Sequence, residues 1–220
     1  MCWNESVSLN TFVFSSATLL FIWYNHTYTQ YKLSEFDNPY FYFLMLSFTS
    51  MQLIEYFLWK SIHTKNKEMD KQFSLIGLII VRVCQPLALL LLIPKAYELM
   101  QKILFVLYFS LLIIVYTYKY FYNPLVFKTV VDKRGSLDWH WGYLNGYERI
   151  LFMVHLFICL TLFLSYPFYA LIIAIYLFYT VYAYKYSFGS MWCWITNTIL
   201  LYMLFKLLIL LPYQERNKLC

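Results

Sequence analysis

Apolar runs of about 20 residues, the length that crosses a bilayer's hydrocarbon core at 1.5 Å per residue, recur along this chain between short polar segments. Seven such runs can be delimited, at 8–24, 39–59, 73–93, 103–122, 150–165, 168–184 and 191–211. Only Ser165-Tyr166-Pro167 divides the fifth from the sixth. One helix through both would be far too long for a single crossing, so a tight helical hairpin is predicted there. The long connection at 123–147 has a different period. Val126-Phe127-Lys128-Thr129-Val130-Val131 is rich in β-branched residues, Asp132-Lys133-Arg134-Gly135 is turn chemistry, and Leu137-Asp138-Trp139-His140-Trp141 alternates apolar with polar. Together they predict a β-hairpin. The expected fold is an all-α integral membrane protein, a seven-transmembrane-helix bundle forming one domain over 1–220, with a short β-hairpin between helices 4 and 5.

Composition supports that expectation. Of 220 residues, 62% are hydrophobic and 13% charged, and the mean hydropathy is +0.57, which a soluble core wrapped in polar surface does not produce. The net charge of +6 is modest. Its lysines flank apolar runs, so the expected partners are the bilayer, acidic headgroups against the lysine-rich face, and a second copy of the chain, rather than nucleic acid. Lys60, Lys65, Lys67, Lys71, Lys119, Lys128, Lys133, Arg134, Arg149 and Lys185 fall on one side of the predicted spans; Lys32, Lys95, Lys102, Arg216 and Lys218 fall on the other. The positive-inside bias then places the N-terminus in the cytoplasm and the C-terminus outside. No basic n-region or small-residue cleavage site precedes the first run, which reads as a retained anchor. The five cysteines are scattered, with neither a disulfide framework nor zinc spacing. Tyrosine (23) and phenylalanine (20) far outnumber glycine (5), so aromatic interdigitation, rather than small-residue motifs, is expected to pack the helices.

Polar residues inside the apolar runs constrain the arrangement most. An unpaired charge at bilayer depth costs from about 3 to more than 10 kcal/mol, so Arg82, near the middle of the third run, must face inward. Counting about 1.5 Å per residue from the cytoplasmic ends puts Glu55, His155 and Asn197 at similar depth and Arg82 and Gln85 deeper. Gln52, Glu55, Arg82, Gln85, His155 and Asn197 are thus brought to one half of the membrane. Two explanations stand: a Glu55–Arg82 ion pair that orders two helices, or a polar cavity in which a carboxylate and an imidazole bind solute or relay protons. Pro86 removes the amide that would bond the Arg82 carbonyl, and broken backbone beside polar groups recurs in transport sites. Trp139 and Trp141 would share one hairpin face, either resting at headgroup level or capping the cytoplasmic mouth.

Lys206 is the second interior cation, in a stripe with Thr198 and Tyr202. It is expected to snorkel outward or lose its proton; a covalent or gating role, including a retinal-like chromophore on a Schiff base, is the sharper alternative. No other cofactor and no metal is expected, because His26, His63, His140 and His155 show no paired ligand spacing.

The segments Met1-Cys2-Trp3-Asn4-Glu5-Ser6-Val7-Ser8-Leu9-Asn10-Thr11-Phe12, Met51-Gln52-Leu53-Ile54-Glu55-Tyr56-Phe57-Leu58-Trp59 and Gly189-Ser190-Met191-Trp192-Cys193-Trp194 with Asn197 resemble an uncharacterised seven-span family of large DNA viruses and protists. The resemblance covers essentially the whole chain and brings no activity with it. It implies a host or virion membrane, and places Glu55, Trp192, Trp194 and Asn197 within the family's motifs. The leading functional expectation is a transporter or channel for protons or a small polar solute, using the Glu/Arg/His cluster. The alternatives are a non-catalytic scaffold or receptor-like protein and a membrane-embedded lipid enzyme.

Overall fold

The computed structural model describes residues 4–122, 127–133, 135–140, 147–183 and 194–218. Seven helices appear among them. α1 is Glu5–Tyr28, α2 Pro39–Thr64, α3 Lys67–Leu91, α4 Glu98–Tyr122, α5 Tyr147–Leu160 with a 3-10 turn at Thr161–Leu164, α6 Pro167–Ala183, and α7 residues 194–218. Five stretches, α1, α2, α3, α4 with its leading turn, and Thr196–Asn217 in α7, are long and apolar enough to cross a membrane; Pro167–Thr180 in α6 is apolar but shorter.

Several helices run past their apolar segments, because capping chemistry sets their ends. Asn4, Asn38 and Asn66 each accept a hydrogen bond from a first-turn amide of α1, α2 and α3, satisfying a donor that has no partner within the helix. Lys65, at φ 54°, ends α2 in the left-handed region. The polar loop expected after the second run therefore shrinks to Lys65 and Asn66. The break expected at Ser165-Tyr166-Pro167 separates α5 from α6, and there the Ser165 hydroxyl donates to the Leu92 carbonyl at 3.0 Å. Gln101 donates to the Leu90 carbonyl at 2.9 Å, so α3 also ends with its carbonyls occupied.

α2 sits at the centre, packed by α1, α3 and α7; 61% of its apolar window is buried, against 17% in α4. The buried face of α1 carries Ser8, Ser15, Thr18, Leu19, Ile22 and Asn25, whose spacings of three, four and seven keep them on one side of the helix. This corrects the expectation drawn from scarce glycine: close approach of α1 to its neighbours uses serine and threonine, which serve the same steric purpose. Aromatic packing holds elsewhere, as where Phe41 meets Tyr166 and Tyr169 with ring centroids 4.9 and 5.8 Å apart.

The β-hairpin pairs β1 (Thr129–Val131) with β2 (Leu137–Trp139), antiparallel, in the register Thr129 to Trp139 and Val131 to Leu137. Gly135 takes φ +76° in the turn, a conformation that side-chain-bearing residues rarely adopt, and Asp132 Oδ1 accepts from the Ser136 amide at 3.0 Å. The hairpin is inserted rather than laid on the surface. Leu137 and Trp139 are buried with Met51, Ile54, Leu58 and Trp59 of α2 and Leu78 of α3, and Asp70 of α3 accepts from the Thr129 amide at 3.1 Å. Trp139 therefore closes this end of the bundle instead of resting at its rim. Trp141, its expected companion, lies outside the described residues.

Because Leu137 is fully buried, Leu137→Ala is expected to lower unfolding stability by about 2–5 kcal/mol. Denaturant titration of the purified protein measures it; a loss below about 0.5 kcal/mol would show that the hairpin is not part of the core.

Candidate functional site

Gln52, Glu55, Arg82, Gln85, His155 and Asn197 are all at most 9% exposed, although they come from four helices. Large apolar side chains occupy the outside, among them Leu99 at 73% and Phe178 at 76%. Polar and charged side chains are thus buried beside the apolar core, while large apolar ones face outward.

The six residues divide into two neighbourhoods. In the first, α1 supplies hydroxyls: Thr11 donates to Gln52 Oε1 at 2.9 Å, and Ser15 donates to Asn197 Oδ1. One turn of α1 thereby ties α2 to α7. Glu55, fully buried, lies one turn beyond Gln52 on α2, next to the apolar layer that receives the hairpin.

The second neighbourhood surrounds Arg82 and departs from the sequence expectation. Among the described residues, the ion pairs are His26–Asp37, His63–Glu5, Lys102–Glu98, Lys119–Glu148 and Lys206–Glu35. Arg82 and Glu55 do not pair. Tyr108, Tyr116 and His155 instead lie near enough to the Arg82 guanidinium to feel its charge. The rings of Tyr108 and His155 meet edge-to-face at 5.9 Å. The charge of Glu148 is also felt at Tyr116, and Glu148 pairs with Lys119. Lys119, Glu148, Tyr116, Arg82 and His155 thus form one electrostatic neighbourhood.

The backbone explains how Arg82 is presented. Ile80–Cys84 is a π turn immediately before Pro86, whose missing amide leaves a carbonyl of the preceding turn without a helical partner. Tyr108 Oη donates to that carbonyl, Arg82 O, at 3.0 Å. The freed acceptor expected from Pro86 is therefore present, and a side chain from α4 satisfies it.

Lys206 is likewise in a π turn, Lys206–Leu210, ahead of Pro212. Its amine reaches the connection between α1 and α2, where Glu35 Oε1 lies 2.7 Å from Lys206 Nζ and accepts a second bond, also 2.7 Å, from the Tyr169 hydroxyl. Glu35 belongs to the 3-10 helix Ser34–Asp37, whose Phe36 is buried in the core. Tyr202 packs its ring against Phe168 and Tyr169 at 5.0 and 6.1 Å, walling this pair with aromatic surface. Lys206 is thus an ion-paired latch residue between α7 and a loop, and an ammonium in a pair is no nucleophile until its proton leaves. Burial raises the Glu35 pKa, but the hydrogen bonds from Lys206 and Tyr169 outweigh burial and hold it below the ordinary carboxylate value.

Sequence reasoning missed Thr11, Ser15, Glu35, Tyr108, Tyr116 and Glu148. Glu148 and Lys119 bracket the hairpin loop, and that opposite-charge bracket is the one signal that could have been used. Lys185, Trp192 and the Trp194 side chain lie outside the described residues. Comparison with protein-family models, curated proteins and solved structures gives no match.

Two outcomes follow. A carboxylate with a depressed folded pKa contributes stability that is complete above the unfolded value of about 4.5 and is lost as pH falls through the folded value. Lys206→Met should therefore cost about 1.5–3 kcal/mol near neutral pH and flatten the acid limb of the stability profile; an unchanged acid limb would remove the latch. Tyr108→Phe leaves the Arg82 carbonyl buried and unbonded, and is expected to cost about 1–3 kcal/mol in the same assay, whereas no loss would place the hydroxyl elsewhere.

Proposed function

We propose that this protein is a multi-pass integral membrane protein whose seven helices all cross the bilayer, with the hairpin end in the cytoplasm, and whose interior passes protons or a small polar solute. The apolar exterior carries the proposal: Leu, Ile and Phe face outward along helices that bury charged and amide side chains between them, the distribution that a hydrocarbon solvent selects and water does not. α5 with its 3-10 turn and α6, of 17 residues, have spans of about 25 Å at 1.5 Å per residue, which a locally thinned bilayer accommodates. The lysines around the hairpin end, Lys60, Lys65, Lys67, Lys71 and Lys128, support its cytoplasmic placement.

Transport rather than scaffolding is supported by the expense of the interior. Several polar atoms with no hydrogen-bond partner among the described residues, on Thr49, Arg82, Gln85, Thr196 and Asn197, are buried along α2, α3 and α7. A bundle built only to be rigid gains nothing from them, since apolar residues of equal volume would be as stable or more so.

Proteoliposomes provide the test. Wild-type protein should collapse an imposed pH gradient, or release a trapped small solute, faster than protein-free vesicles. Glu55→Gln should change that rate by about tenfold, corresponding to 1.4 kcal/mol. Rates equal to empty vesicles for protons and for neutral, cationic and anionic solutes would overturn the transport reading.

A further inference from the structure

Resting on that reading, we propose that the solute bound in the half of the bundle around Arg82 is a small monovalent inorganic anion, held by Arg82 and Gln85 of α3. Four observations lead there. Arg82 is 6% exposed and Gln85 1%, so neither reaches bulk water. Arg82 Nε and Gln85 Nε2 are both N–H donors, and neither has a hydrogen-bond partner among the described residues. The two residues are three positions apart where the π turn passes into the following helix. Finally, among the described residues no carboxylate lies within 4.0 Å of the guanidinium.

The surroundings narrow the chemistry. A backbone acceptor that would compete for the donors, the Arg82 carbonyl, is occupied by the Tyr108 hydroxyl. Glu148, whose charge is felt at Tyr116, is paired with Lys119. What faces the site is therefore a fixed positive charge, amide and imidazole donor capacity, and aromatic rings. A cation would meet like charge there, and a neutral solute would leave the guanidinium uncompensated. A dianion would bring one charge too many into a low-dielectric interior. A monoanion such as nitrate or chloride balances Arg82 with charge-assisted hydrogen bonds.

Equilibrium binding tests this independently of flux. Full-length protein in nanodiscs is titrated with sodium nitrate, and then sodium chloride, replacing sodium gluconate at constant ionic strength, with the thermal unfolding midpoint and heat of binding as readouts. A saturable rise in the midpoint is expected with nitrate or chloride. Gln85→Met should weaken it about tenfold, the equivalent of one hydrogen bond to a charged partner, Arg82→Gln should abolish it, and Lys95→Gln, at an exposed position, should leave it unchanged. If Arg82→Gln does not fold, Gln85→Met and the wild-type titration decide. Absence of a saturable effect in wild type overturns the proposal, as does an effect equal in Gln85→Met, which would mean an adventitious ion only. Saturable binding without flux would leave the site standing and remove transport; proton flux without anion binding would do the reverse.

Discussion

A guanidinium held inside a bundle whose outer surface is apolar sets the terms for everything around it. Arg82 cannot be stripped of its charge at any ordinary pH, so its helix must turn it inward and its neighbours must supply polar atoms. The π turn at Ile80–Cys84 and Pro86 adjust the backbone at that point, and Tyr108 closes the resulting gap at Arg82 O. α4 and α5 are drawn to α3 through Tyr116 and His155 as well as by apolar contact. The guanidinium thus organises the α3–α4–α5 side of the molecule.

The opposite side is organised by neutral hydrogen bonds. α1 lays a row of hydroxyls against α2 and α7, and Thr11 and Ser15 take up the side-chain oxygens of Gln52 and Asn197. α2 lies between the two halves, which is why its residues are the most thoroughly buried and why Glu55 sits at the junction. Each end is then closed differently. The hairpin plugs one end with Leu137 and Trp139, while the Glu35–Lys206–Tyr169 latch pins the short helix Ser34–Asp37 across the other. Two interior cations, each in a π turn shortly before a proline, have therefore found different partners: tyrosines for Arg82 and a loop carboxylate for Lys206.

Much of the fold was legible in the sequence because hydrophobic length is a strong signal. The seven helices, the break at Ser165-Tyr166-Pro167 and the hairpin with its turn at Asp132–Gly135 all follow from run length and turn chemistry. Burial of the six polar residues was legible for the same reason, since apolar runs leave a charged or amide side chain only the interior. Their partners were not. With 23 tyrosines in the chain, nothing distinguishes Tyr108 and Tyr116 from residues that merely fill space. Serine and threonine in apolar runs barely alter hydropathy, which hid the packing face of α1. Glu35 lies in a loop, and only the three-dimensional fold brings it to Lys206. The Glu55–Arg82 pairing failed because matching depth on adjacent helices fixes height, not rotation about the helix axis.

The central claim is that Arg82 faces a hydrophilic interior with tyrosines, rather than Glu55, beside it. A cryo-EM map of the protein in nanodiscs, at a resolution that shows ordered solvent, tests this most directly. The account predicts the guanidinium next to Tyr116, with ordered water or an anion against Arg82 Nε and Gln85 Nε2. A guanidinium pointing into the lipid, or bidentate on the Glu55 carboxylate in a dry interface, would contradict it.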